Sequence, residues 1–105
     1  MKKSNVGSVS HHDCEVAELR ADRELAVEYA RLAVEALNDA ADRSVGLLVL
    51  RTIAEAYGGL SAVAKDAGIS PASLRRSLSP SGNPTLKTLQ TVLKNVGLKI
   101  AIKAA

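Results

Sequence analysis

The chain has 105 residues, 47% of them apolar and 24% charged, the length and balance of one small globular domain. No run approaches the roughly 20 apolar residues of a membrane span, and the basic opening Met1-Lys2-Lys3-Ser4 lacks the apolar stretch of a signal peptide. The cytoplasm is therefore the expected compartment, with no membrane partner, and the single cysteine, Cys14, excludes a disulfide framework and a thiolate zinc site.

The net charge of +3 hides an asymmetry. Residues 1–50 carry six basic side chains against nine acidic ones, whereas residues 51–105 carry eight basic against two acidic. A basic half attracts polyanions by releasing their counterions, and nucleic acid is the commonest such partner. With no Phe or Trp and only Tyr29 and Tyr57, the core must be aliphatic. That scarcity also argues against a protein that stacks single-stranded bases on aromatic side chains.

Residues 1–20, rich in Ser, Asn and Gly with no sustained apolar period, read as a flexible N-terminal arm. Residues 21–105 read as a single domain. His11-His12-Asp13-Cys14 are ligand types, but neighbours in an arm seldom close a coordination sphere and the chain offers no other His or Cys. No metal and no cofactor are expected.

Asp22 is placed to cap a first helix, in which Leu25, Tyr29, Leu32 and Ala36 recur at helical spacing, with Ala26, Ala33 and Leu37 alongside. It ends near Asn38-Asp39. A second helix, residues 45–57 with Ser44 as cap, has a buried stripe of Leu47, Leu50, Ile53, Ala54 and Tyr57, and stops at Gly58-Gly59. A third runs over 60–67 to Gly68. Ser70-Pro71 starts a fourth, a hydroxyl cap followed by proline at the first helical position, which ends near Leu78. The turn-rich 79–84 loop leads to Thr85, which caps a fifth helix carrying Leu86, Leu89, Val92, Leu93 and Val96 up to Gly97. Leu98, Ile100 and Ile102 then alternate with Lys99 and Lys103, predicting a short C-terminal strand over 98–103.

The stretch 60–78 carries the functional signal. Two short helices joined by a tight turn make a helix-turn-helix. Ala64 sits where the second helix crosses the first, and Gly68 supplies the positive φ of the turn. Val63, Ala67, Ile69, Leu74 and Leu78 form the inward face. Facing outward are Ala72, Ser73, Arg75, Arg76 and Ser79, with the cap Ser70 opening the helix. The first turn of a recognition helix reaches base edges in the major groove. Arginine pairs with guanine through two parallel hydrogen bonds, serine bonds base or phosphate, and alanine touches a thymine methyl. Arg75 and Arg76 lie about 100° apart on a helix, so one faces bases and the other phosphate. Ser61, near a helix N-terminus, suits a backbone phosphate on one side, and Asn83, Thr85 and Lys87 suit phosphates on the other.

Three segments, 50–60, 74–86 (with its run Leu78-Ser79-Pro80-Ser81-Gly82-Asn83-Pro84-Thr85) and 93–98, carry a resemblance. From about residue 23 to 103 the chain resembles the antidote (antitoxin) proteins of bacterial addiction modules. These belong to the Cro/C1-type helix-turn-helix superfamily, and the resemblance is closest in type to HigA antitoxins paired with RelE/ParE-like toxins. It implies an all-α, five-helix lambda-repressor-like bundle, binding to the operator of its own operon, and neutralisation of a small, ribonuclease-like toxin. At Ala72 the chain departs from the family, which more often places a polar residue there. The acidic first helix is compatible with a small basic toxin. The apolar strand either pairs with a second copy or another protein, or covers this chain's own core.

One short helix reads too few base pairs for useful specificity, so a homodimer on double-stranded operator DNA is expected. The leading reading is a dimeric repressor and antitoxin. A stand-alone phage-type or metabolic repressor, and a protein-binding helical adaptor whose helix pair only packs, are the alternatives. An enzyme is not expected, because both histidines lie in the arm and the chain has no P-loop, no dinucleotide glycine pattern and no Ser-His-acid set on ordered elements.

Overall fold

The computed structural model describes residues 11–104. The chain runs through α1 (His11–Ala21), α2 (Arg23–Ala36), α3 (Arg43–Ala56), α4 (Leu60–Ala67), α5 (Pro71–Ser77) and α6 (Leu86–Val96). Helix α2 packs chiefly on α3, α1 lies across α3, and α6 braces α4 and the end of α3. No helix among the described residues is long and apolar enough to cross a membrane.

Local sequence accounts for most of the helix ends. Asp22, Ser70 and Thr85 each sit in extended backbone and accept a hydrogen bond from the N–H three residues on, at 3.1, 3.0 and 3.2 Å. Gly68 and Gly97 close α4 and α6 in the left-handed conformation, at φ 76° and 92°. Helix α3 begins at Arg43, earlier than its expected start, and neither Asp42 nor Ser44 makes a side-chain cap there. Gly58 and Gly59, both at positive φ, let the chain turn 102° from α3 into α4.

Two expectations are overturned. The bundle has six helices rather than five, and no strand occurs among the described residues. The added helix is α1, from residues read as arm; residues 1–10 of that stretch lie outside the described residues. Helix α1 has little apolar periodicity, since Leu19 is its only buried residue. Contacts distant in sequence hold it instead. The Tyr57 hydroxyl donates to the Leu19 carbonyl at 2.7 Å, Arg20 donates to the Ala56 and Glu55 carbonyls at the end of α3, and the His12 ring meets Glu55 at 2.8 Å. A cation at carbonyls left open by a helix C-terminus is favourable for both partners. At the other end of the chain, residues 98–104 take no helix or strand. A ladder needs a neighbouring strand, and six helices supply none. Leu98 packs on the core, Ile102 is 99% exposed, and Lys103 reaches Glu35 at 3.6 Å.

The core is aliphatic and built from small residues. Ala26, Ala30 and Ala33 of α2 face Leu47, Leu50 and Ile53 of α3, joined by Val63, Leu74, Leu78, Val92, Leu93 and Val96. The face of α2 differs from the expected stripe. Its alanines are buried, while Tyr29 and Leu32 are turned outward. Gly46 explains the choice, because a Cβ there would lie 2.7 Å from the Ala33 carbonyl oxygen. The two backbones approach too closely for larger side chains between them.

Gly46→Ala is expected to lower stability by about 1–2 kcal/mol in denaturant unfolding. Overpacking against fixed backbone costs about 1–3 kcal/mol and outweighs the roughly 1 kcal/mol of helix propensity gained; an unchanged midpoint would show that α2 and α3 separate freely. Tyr57→Phe removes the bond to Leu19 and should cost about 1 kcal/mol. Amide hydrogen exchange should locate that loss in α1, with faster exchange there than in α4–α6.

Candidate nucleic-acid interface

Helices α4 and α5 form the expected pair. The Ile69 N–H bonds to the Ala64 carbonyl across the turn at 3.0 Å, and Val63, Ala64, Ala67, Leu74 and Leu78 are buried. Burial of Leu74 and Leu78 fixes the rotation of α5 about its axis. Pro71, Ala72, Arg75 and Arg76 are left exposed.

Within α5 a short hydrogen-bonded chain runs along one side. The Ser70 hydroxyl accepts from the Ser73 N–H and donates to the Ser73 hydroxyl, both at 3.0 Å, and Arg76 Nη2 donates to that same hydroxyl at 3.3 Å. Ser73 is therefore half-buried and braces Arg76 rather than standing free. Arg75 has no hydrogen bond or ion pair among the described residues. Ser79 turns its hydroxyl onto the Arg76 carbonyl at 2.7 Å, satisfying the end of α5.

The flanking residues gather on either side of this helix. Lys87 is exposed at the start of α6, and its Nζ lies beside the α4–α5 turn, 3.4 Å from where a Cβ on Gly68 would stand. Thr85 caps α6 and donates its hydroxyl to Thr88 at 3.1 Å. Asn83 accepts a hydrogen bond from Arg43 at 3.1 Å, which leaves its amide N–H2 as the group able to donate to an anion. Ser61 is exposed on the first turn of α4, whose cap Gly59 provides no side chain for the open N–H groups. Gly82 holds the loop close to α5: a Cβ there would lie 2.5 Å from the Arg76 carbonyl oxygen.

The electrostatics divide the molecule. The ion pairs among the described residues are His12–Glu55, Arg31–Glu28, Arg51–Glu55 and Lys103–Glu35, all of whose acids lie on α2 and α3. Lys65, Arg75, Arg76 and Lys87 are exposed and form none. Four cations without ion pairs on three adjoining elements, against the single acid Asp66 of α4, leave a net positive region. Its geometry suits a polyanion with a groove wide enough for α5. Of the sequence-expected residues, Ala72, Arg75, Arg76 and Lys87 stand outward on it, whereas Ser70, Ser73, Ser79 and Thr85 spend hydroxyl contacts on the fold.

Sequence reasoning passed over Arg43, which fastens the 79–84 loop to α3 from 40 positions away, and no local pattern announces such a contact. Of the ligand types near the N-terminus, His12 is held on Glu55 and Cys14 is exposed. Among the described residues no three His, Cys, Asp or Glu side chains gather as a metal site.

A family profile described as "probable addiction module antidote protein" matches residues 10–104. No curated protein and no solved structure matches the chain. With the match running from residue 10 through α1 to the end of α6 and beyond, the chain belongs to the probable addiction module antidote proteins, an antitoxin family whose role implies a toxin partner.

Proposed function

We propose that this antitoxin is also a sequence-specific repressor of the Cro/C1 helix-turn-helix type, HigA-like in organisation. It binds the operator of its own operon as a homodimer and neutralises a small, basic, RelE/ParE-like toxin in the cytoplasm. It does so by binding alone, without enzymatic activity. Helix α5 enters the major groove, with Arg75 and Arg76 divided between base edges and phosphate. Lys87 and the Asn83 amide hold the backbone on one side, and Ser61 with the first N–H groups of α4 on the other.

The observation that carries the reading is the pair Arg75 and Arg76, exposed on the outward side of α5 with no acidic partner, while Leu74 and Leu78 anchor the opposite side. A surface helix that served packing alone gains nothing from two adjacent unpaired guanidinium groups. Bracing by Ser73 lowers the rotamer entropy that Arg76 loses on binding.

Titration of the chain against its own upstream duplex tests this. Arg75→Ala/Arg76→Ala should weaken binding by at least about 2 kcal/mol, from about 1–3 kcal/mol per base-reading arginine. Circular dichroism should show the helices intact, and unchanged affinity in the folded variant would refute the DNA-binding reading in favour of a helical adaptor. Lys87→Ala should behave differently. As a phosphate contact it should weaken all duplex sequences alike and reduce the log–log salt slope by about 1.

A further inference from the structure

The face of α2 and α3 that turns away from the core bears an apolar patch that nothing among the described residues covers. Leu32 and Val45 are each 60% exposed, Leu48 42% and Tyr29 37%. Tyr29, Leu32 and Val45 line a shallow apolar depression of about 200 Å3 together with Ala33 and Gly46, and Leu48 lines the adjoining groove, which shares Val45 with it. The depression exists because the helices cross so closely that no side chain fits between them there. Isolated exposed apolar residues are ordinary on a protein surface, but a contiguous group around an apolar concavity marks an interaction site. None of these residues lies on α4, α5 or α6, the elements that carry the unpaired cations.

The charge around it selects the occupant. Residues 11–50, which form α1, α2 and most of the exposed side of α3, carry nine acidic side chains against four basic ones. Arg51, which lines the adjoining groove, is neutralised by Glu55, and Arg31, next to Leu32 in the sequence, by Glu28. Glu15, which shares a groove with Val45 and Leu48, and Asp42, one helical turn before Val45, form no ion pair among the described residues. A second copy docked here about a twofold axis would bring this acidic surface against its duplicate. A protein with an apolar side chain to seat in the depression and Lys or Arg around it is complementary.

We infer that the α2–α3 face around Tyr29, Leu32, Val45 and Leu48 is where this antitoxin grips its toxin. The inference rests on the antitoxin role and adds the surface and the chemistry of the partner: an apolar anchor within a basic rim. Toxin and operator then occupy different sides of one chain.

The probe is the purified toxin encoded with this chain, titrated calorimetrically against wild type and Leu32→Arg/Val45→Arg. Both positions are solvent-exposed, so helicity should be retained, and the added cations should weaken toxin binding at least 100-fold. If the arginine pair fails to fold, Leu32→Ser/Val45→Ser should still weaken it at least tenfold. Equal toxin binding by wild type and a folded variant overturns the surface assignment alone. Absence of binding by wild type overturns the antitoxin reading and the assignment with it. Sedimentation of the chain alone supplies the remaining outcome: if the substitutions split a dimer while toxin binding persists, the patch is a self-interface and the inference fails.

Discussion

Everything in this bundle is arranged around the close passage of α2 over α3. Without phenylalanine or tryptophan to fill wide gaps, the chain brings two backbones together on alanine and glycine, with Gly46 beneath the Ala33 carbonyl. Close approach raises packing density and dispersion contacts where large side chains are lacking. It also decides what faces outward. Once Ala26, Ala30 and Ala33 take the inner side of α2, helical geometry sends Tyr29 and Leu32 to its flank. The core and the exposed patch are thus two results of one contact.

The second organising feature is the segregation of charge. Glu28, Glu35 and Glu55 of α2 and α3 find partners among the described residues, through Arg31, Lys103, Arg51 and His12. The cations of α4, α5 and the start of α6 do not. Surface ion pairs contribute little to stability, so leaving Lys65, Arg75, Arg76 and Lys87 unpaired costs the fold almost nothing while sustaining a field over one side. An antitoxin must meet a protein partner, and the proposed repressor must also meet a polyanion. On the proposed reading, opposite charges on different elements keep those encounters from competing.

Much of the architecture was legible from local chemistry. Asp22, Ser70-Pro71 and Thr85 mark helix starts, and Gly68 and Gly97 mark ends, because each motif solves its backbone hydrogen-bonding problem within a few residues. The helix pair and its two outward arginines were legible for the same reason. Helix α1 was not, since Tyr57, Arg20 and Glu55 secure it across more than 30 positions. Period-two alternation at 98–103 misled, because alternation describes a strand's faces and says nothing of whether a second strand exists. The apolar spacing on α2 misled in another way: Tyr29 and Leu32 share a stripe, but the tight crossing admits only alanine. At the site, Ser79 and Asn83 were legible as polar residues near the helix, whereas their bonds to the Arg76 carbonyl and to Arg43 depend on the folded loop.

The manner in which α1 is fastened has a consequence for how the molecule comes apart. Buried Leu19, the partly buried Val16 and a few polar clasps attach it to α3, whereas α4, α5 and α6 interlock through Val63, Leu74, Leu78 and Val92. Cooperative units with so few apolar anchors open at lower free energy than the remainder of a domain. Detachment of this one segment bares the C-terminal carbonyls of α3 and leaves α4, α5 and α6 standing. The chain is therefore a sturdy helical body with a loosely latched collar, and a protease would find the collar first.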